Sequence, residues 1–202
     1  MSEGATRIIT GALVQLGENP VTSIDLDPPP SRLTKILPHL QDAIDAVLVK
    51  YGWSACLEYQ TLTPSDLVPA NWRWPYAYVM PEGGLRFWEV SRSNGWERGV
   101  WENPSTGATQ MILRATDGGE INISYVKRRS ADALDANLRD AVVFELAARA
   151  CRSMNGSVER ALELRRLADQ AVVTAMGTDG QDARADETVF GDRMAALRAS
   201  AP

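Results

Sequence analysis

All six tryptophans of the chain, at positions 53, 72, 74, 88, 96 and 101, fall within one quarter of its 202 residues. The segments on either side are rich in Ala, Leu and Arg instead. Large rings suit the half-buried surface of a pleated sheet, whereas Ala, Leu and Arg are strong helix formers. The expected fold class is therefore α+β: a helical bundle frame with an inserted antiparallel β module and an extended C-terminal tail. The divisions are residues 1–54 for the N-terminal helices of the frame, 55–129 for the β module, 130–177 for a helical hairpin that completes the frame, and 178–202 for an extended arm.

Apolar periodicity places the elements. Ile8, Ile9, Ala12, Leu13 and Leu16 form a helical stripe over Ala5–Leu16, and Gly17 stands where a C-terminal cap belongs. Pro20 and Pro28–Pro30 keep the next stretch out of helix. Ser31 is expected to cap a second helix running to about Tyr51, with an apolar face from Leu33 to Leu48. Pro38 lies inside that pattern and predicts either a kink or a helix that begins near Leu37.

From Ala55 to Arg128 the pattern is strand-like. CLEYQTL, YAYVM, LRFWEV, ERGVWE, TQMILRA and EINISYVKR are short, β-branched or aromatic, and separated by Pro, Gly and Asn. Asp117-Gly118-Gly119 reads as a good hairpin turn and Ser105-Thr106-Gly107 as a weaker one. Ile121, Ile123 and Tyr125 alternate with Asn122, Ser124 and Val126, which predicts a strand with one buried face. Helical spacing returns after Ser130, an expected N-cap, with Leu134, Leu138, Val142, Leu146 and Ala150. Asn155-Gly156 breaks it, Ser157 is expected to cap another helix, and that helix is expected to end at Gly177. The remaining tail is polar and Asp-rich, with only Val189, Phe190, Met194 and Leu197 apolar, and a docking partner is the natural inference for it.

Catalytic patterns are thin. His39 is the only histidine, so any Ser–His–Asp or Cys–His arrangement has to use it, and nothing beside it in sequence suggests a nucleophile. Cys56 and Cys151 lie far apart, form no metal-binding spacing, and read as reduced, partly buried thiols. The acidic groups Asp132, Asp135 and Asp140, and the pair Glu159/Glu163, suit a solvated face or a helix N-terminus better than acid–base work. No P-loop, GxGxxG or HExxH is present, and no apolar run approaches the roughly 18 residues of a membrane span. A net charge of −5 without a basic stripe argues against a protein that grips phosphates. The expectation is a chain with no catalysis, cofactor or metal.

The stretch WRWPYAYVMPEGGLRFW concentrates the aromatic side chains. Trp72, Trp74, Tyr76 and Tyr78 share one parity, and Pro75 and Pro81 confine the segment to a sheet edge. A one-faced aromatic row fits a packed strand or a subunit interface. It also fits a platform for a small ligand or glycan, which defines the alternative reading: a non-catalytic cytoplasmic binding module.

The order of these elements resembles the head–tail adaptors of tailed phages, particularly the tail tubular protein A family of short-tailed phages. A short helix runs into LGENPVTSID, and a longer one ends at YGWSACLEYQTL, where that family places a Trp before its first strand. WPYAYVMPEGGLRFWEV, a hairpin ending in INISYVKR, a helical hairpin and a tail finishing near Leu197-Arg198 follow. The resemblance covers nearly the whole chain, and it departs from the family at Pro38 and in the length of the tail. It implies a structural protein of the virion, made in the bacterial host cytoplasm. Such a protein forms a ring, usually of twelve copies, between the portal and the tail or its nozzle, with genomic DNA passing through the centre unbound. Trp72, Trp74, Tyr76, Tyr78, Phe190, Met194, Leu197 and Arg198 are the interface residues expected on this reading.

Overall fold

The computed structural model describes residues 2–91, 95–154 and 156–199, with side chains described as far as Gly180. The chain is α+β, with helices and two antiparallel sheets. It divides into two compact units, one of Met1–Ser54 with Arg129–Pro202 and one of Ala55–Arg128.

The first unit is helical. Helix α1 (Glu3–Gln15) starts two residues before the apolar stripe does, because the Ser2 hydroxyl accepts the Ala5 N–H at 3.3 Å. It ends as expected at Gly17, whose φ of 77° lets Glu18 N–H reach the Leu13 carbonyl and Gly17 N–H the Val14 carbonyl. This double bond pattern satisfies carbonyls that a helix end otherwise leaves bare. Ile8, Ile9, Ala12 and Leu13 are fully buried.

Two glycines set how closely α1 packs. A Cβ on Gly4 would lie 2.6 Å from the Ala131 carbonyl oxygen, and one on Gly11 would lie 3.0 Å from the Val143 side chain. Gly4→Ala is expected to destabilise the frame by about 1–3 kcal/mol, although Ala is the better helix former by roughly 1 kcal/mol. A urea titration checks it. Asp132 strengthens the same junction by accepting the Gly4 N–H at 2.6 Å. Hydrogen bonds from the Ser2 side chain and the Gly4 backbone hold its carboxyl below the ordinary range. The stability they add is present above the ordinary carboxylate pKa and is lost as pH falls through the lowered one.

The second helix is broken, as Pro38 requires. Helix α2 (Ser31–Ile36) gives way to a 3₁₀ turn at Leu37–His39, and α3 (Leu40–Leu48) follows. Pro38 has no N–H to offer the preceding turn and its ring crowds that carbonyl, so the α-helical ladder stops there. Ser31 is the first helical residue instead of the cap. Pro30 holds the cap position with no side-chain hydrogen bond. Trp53, just beyond α3, is fully buried, donates its indole N–H to the Val47 carbonyl at 3.3 Å, and meets the Tyr51 ring edge-on at 5.1 Å.

After the second unit the chain returns through a 3₁₀ turn at Ala131–Ala133. The cap of α4 (Ala136–Ala150) is Asp135, which accepts the Leu138 N–H at 2.8 Å, so the helix begins later than Ser130 suggests. The expected break at Asn155 lies outside the described residues. Ser157 does cap α5 (Val158–Ala199), accepting the Arg160 N–H at 3.1 Å. Helix α5 packs on α4 through Leu164, Ala168, Val172 and Ala175, all buried.

The helix expected to stop at Gly177 runs on to Ala199, so residues 178–199 continue α5 and do not form an extended arm. No proline interrupts 158–199, and each exposed glycine costs a helix only about 1 kcal/mol. Asp179 also ties this part back to the frame, accepting from the Ser54 hydroxyl at 2.6 Å and the Ser54 N–H at 3.1 Å.

The second unit contains six strands: β1 (Leu57–Leu62), β2 (Tyr76–Val79), β3 (Gly84–Val90), β4 (Trp96–Glu102), β5 (Thr109–Ala115) and β6 (Ile121–Lys127). They form two three-stranded antiparallel sheets, ordered β1-β6-β3 and β2-β5-β4. Leu62, Tyr78, Phe87, Leu113, Ile121 and Ile123 close the two sheets on one core.

Of the two expected hairpin turns, only the weaker one joins paired strands. Residues 103–108 form the hairpin between β4 and β5, where Asn103 N–H donates to Ala108 and Gly107 takes φ 66°. Asp117–Gly119 instead carries the chain from one sheet to the other, since β5 and β6 do not pair. Strand β6 alternates only over its first half. Ser124 and Val126 are buried like Tyr125, because β6 is the central strand and both of its faces are covered there.

Candidate interaction surface

The aromatic stretch is divided by the point at which the strand begins. Strand β2 starts only at Tyr76, so the shared parity of Trp72, Trp74, Tyr76 and Tyr78 does not correspond to one packed row. Tyr78 is fully buried, and its hydroxyl donates to the Gly119 carbonyl at 2.8 Å, fastening the Asp117–Gly119 crossing. Tyr76 is 39% exposed and its ring lies over Gly118, where an added Cβ would meet it at 2.7 Å. Trp74 is half-buried under the Arg73 guanidinium, 5.4 Å from the ring centre. Trp72 is 95% exposed.

The position of Trp72 is built by a tight turn. The Asn71 side-chain oxygen accepts the N–H groups of Arg73 at 3.0 Å and Trp74 at 2.7 Å, and Asn71 N–H donates to the Trp74 carbonyl at 3.2 Å. Short polar side chains stabilise turns in this way. Pro69 and Pro75 flank the turn and Leu67, 69% exposed, lies in the same loop. A large indole is thus displayed on a fixed backbone, with little backbone entropy left to lose on contact. Trp72→Ala is expected to change folding stability by less than about 0.5 kcal/mol. Tyr78→Phe, which removes the bond to the Gly119 carbonyl from a fully buried ring, is expected to cost about 1 kcal/mol. Thermal denaturation of the two variants side by side checks the division.

A second surface feature lies on the helical hairpin. A groove of about 260 Å³ is lined by Val158, Ala161 and Leu162 together with Arg149, Arg152 and Arg165. Val158 is 49% and Leu162 59% exposed. Under it lies a group that sequence reasoning missed. Glu145 is fully buried and accepts from Arg149 Nε at 2.8 Å and from Arg165 at 2.5 Å. Its i, i+4 relation to Arg149 is visible in the sequence, but Arg165 reaches it only through the antiparallel packing of α5 on α4.

The other candidates are scattered. Phe190, Met194, Leu197 and Arg198 stand on the last turns of α5, and their side chains lie outside the described residues. His39 is half-buried on the 3₁₀ turn. Cys56 and Cys151 are both free thiols and both buried. Asp132 and Asp135 hold helix or turn backbone, and Glu163 pairs with Arg160 at 2.6 Å. Among the described residues, no group of three His, Cys, Asp or Glu is placed to hold a metal, and no helix is long and apolar enough to cross a membrane. The two surface features are an exposed tryptophan on one unit and an arginine-lined apolar groove on the other. No protein-family model matches the sequence, and no curated protein matches it significantly.

Proposed function

We propose that the chain is a structural subunit of a ring between the portal and the tail of a tailed phage, leaving a central passage for DNA. The observation that carries this reading is the element order. A capped short helix, a second helix ending before a buried Trp53, a six-stranded insertion and a helical hairpin follow one another as the resemblance requires. Net charge −5 without a basic stripe suits a wall that phosphates pass without sticking. The role is mechanical, with no catalysis and no cofactor.

Negative-stain imaging of the purified chain, alone and mixed with the portal protein of the same phage, tests the reading. Rings are expected in at least one of the two samples. A chain that stays monomeric by mass measurement and never joins the portal overturns it.

The exposure of Trp72 favours one second reading, a binding module for a glycan or small flat ligand. That module loses ligand on Trp72→Ala while keeping its fold, and its ligand is sought by titration calorimetry against simple oligosaccharides.

A further inference from the structure

We infer that Trp72 of one copy seats in the α4/α5 groove of the next, and that this knob-and-groove contact is what links successive subunits. The inference rests on the ring reading and names its contact.

The two partners match in size, polarity and charge. The groove, at about 260 Å³, falls below the roughly 300–1,000 Å³ of small-molecule sites and is on the scale of one large side chain. Its apolar lining comes from Val158, Ala161 and Leu162, and three guanidinium groups stand around it against the single carboxylate of Glu145. Guanidinium groups stack on indole faces and are attracted by the ring quadrupole. The loop that carries Trp72 also brings exposed Leu67 for the apolar lining and exposed Asp66 for an arginine.

Both sides are held in place before they meet. The Asn71 turn fixes the backbone that carries the knob, and Glu145 holds Arg149 and Arg165 from beneath. Trp and Arg are the residue types that dominate binding energy at interfaces. Knob and groove belong to different units and are different patches, so the contact is heterologous. Each copy offers a knob to one neighbour and a groove to the other, a head-to-tail arrangement that gives a ring when the rotation between copies closes.

Crosslinking tests this without removing the knob. Ala70→Cys marks the Trp72 loop and Arg166→Cys marks the groove, both at exposed positions, while native Cys56 and Cys151 are buried. Mixing the two single variants with a short bismaleimide is expected to give a product joining unlike chains, and neither variant alone gives one. Adding Trp72→Ala to the Ala70→Cys chain is expected to lower the yield at least tenfold, with an unchanged circular dichroism spectrum.

Self-crosslinking of either single variant, or a yield indifferent to Trp72, overturns the inference. The same samples are imaged, so the two readings separate. Rings without the mixed product sink this contact and leave the ring standing; neither rings nor product, with or without portal, removes both. A Trp72→Ala chain that assembles normally but loses retention on a glycan or on lipid vesicles assigns the knob to that partner and also overturns the proposal.

Discussion

Replacing Arg149 and Arg165 together with Ala is expected to lower the stability of the helical frame by about 3–5 kcal/mol. Glu145 is fully buried between α4 and α5, and these two guanidinium groups are the partners that hold its charge. The arginines themselves are 31% and 49% exposed, so they add little as surface charges. The cost comes from what they leave behind, a carboxylate removed from water with nothing to neutralise it. Adding Glu145→Met to the double variant is expected to restore most of the loss, because an apolar side chain of similar length fills the same space without a charge. Urea denaturation followed by circular dichroism gives all three values. A loss under about 1 kcal/mol for the double variant would show that water reaches Glu145.

The other large effect is at Trp53. Trp53→Ala is expected to cost about 3–5 kcal/mol, the range for truncating a large buried aromatic side chain. The residue is fully buried, closes the end of α3 through its bond to the Val47 carbonyl, and supports Tyr51 edge-on. Trp53→Phe keeps a ring but loses the indole bond to a carbonyl that still accepts the Lys50 N–H, and it leaves a smaller void, so its cost is expected to be nearer 1–2 kcal/mol. Hydrogen exchange localises the damage. Amides of α1 and α3 are expected to lose protection in Trp53→Ala.

Fold class and the existence of the six strands were legible because both rest on local pattern. Alternation and β-branching marked every strand to within a few residues, and Pro38 and Gly17 acted through backbone geometry that no tertiary context changes. What was not legible depends on contacts distant in sequence. Asp117–Gly119 has the composition of a hairpin turn, but pairing partners decide whether strands join, and β6 pairs with β1 and β3 instead of β5. Shared parity of Trp72 through Tyr78 carried no meaning until the start of β2 at Tyr76 was known. Gly177 marked a helix end by propensity alone, and a penalty of about 1 kcal/mol does not stop a helix with good formers on both sides. Nothing local in the sequence singles out Glu145, because its burial is set by the arrival of α5. Of the candidate surface, the tryptophans were visible as residues; their exposure was not.

The strand order has a consequence for how the chain is made. Strand β1 pairs Leu57 with Val126, and no strand lies between β1 and β6 in their sheet. The first sheet therefore cannot close until its last strand has left the ribosome, and the frame likewise waits for α4 to cover α1 and α3 and for α5 to cover α4. More than half of the polypeptide, Trp53 and the stripes of α1 and α3 included, is synthesised with its apolar surface still unburied. At roughly 5–20 residues per second that interval lasts seconds. High contact order of this kind slows folding and exposes a nascent chain to aggregation. The architecture thus makes biogenesis a matter of timing: the β unit is complete only once β6 has emerged, and the helical unit only once α4 and α5 have followed.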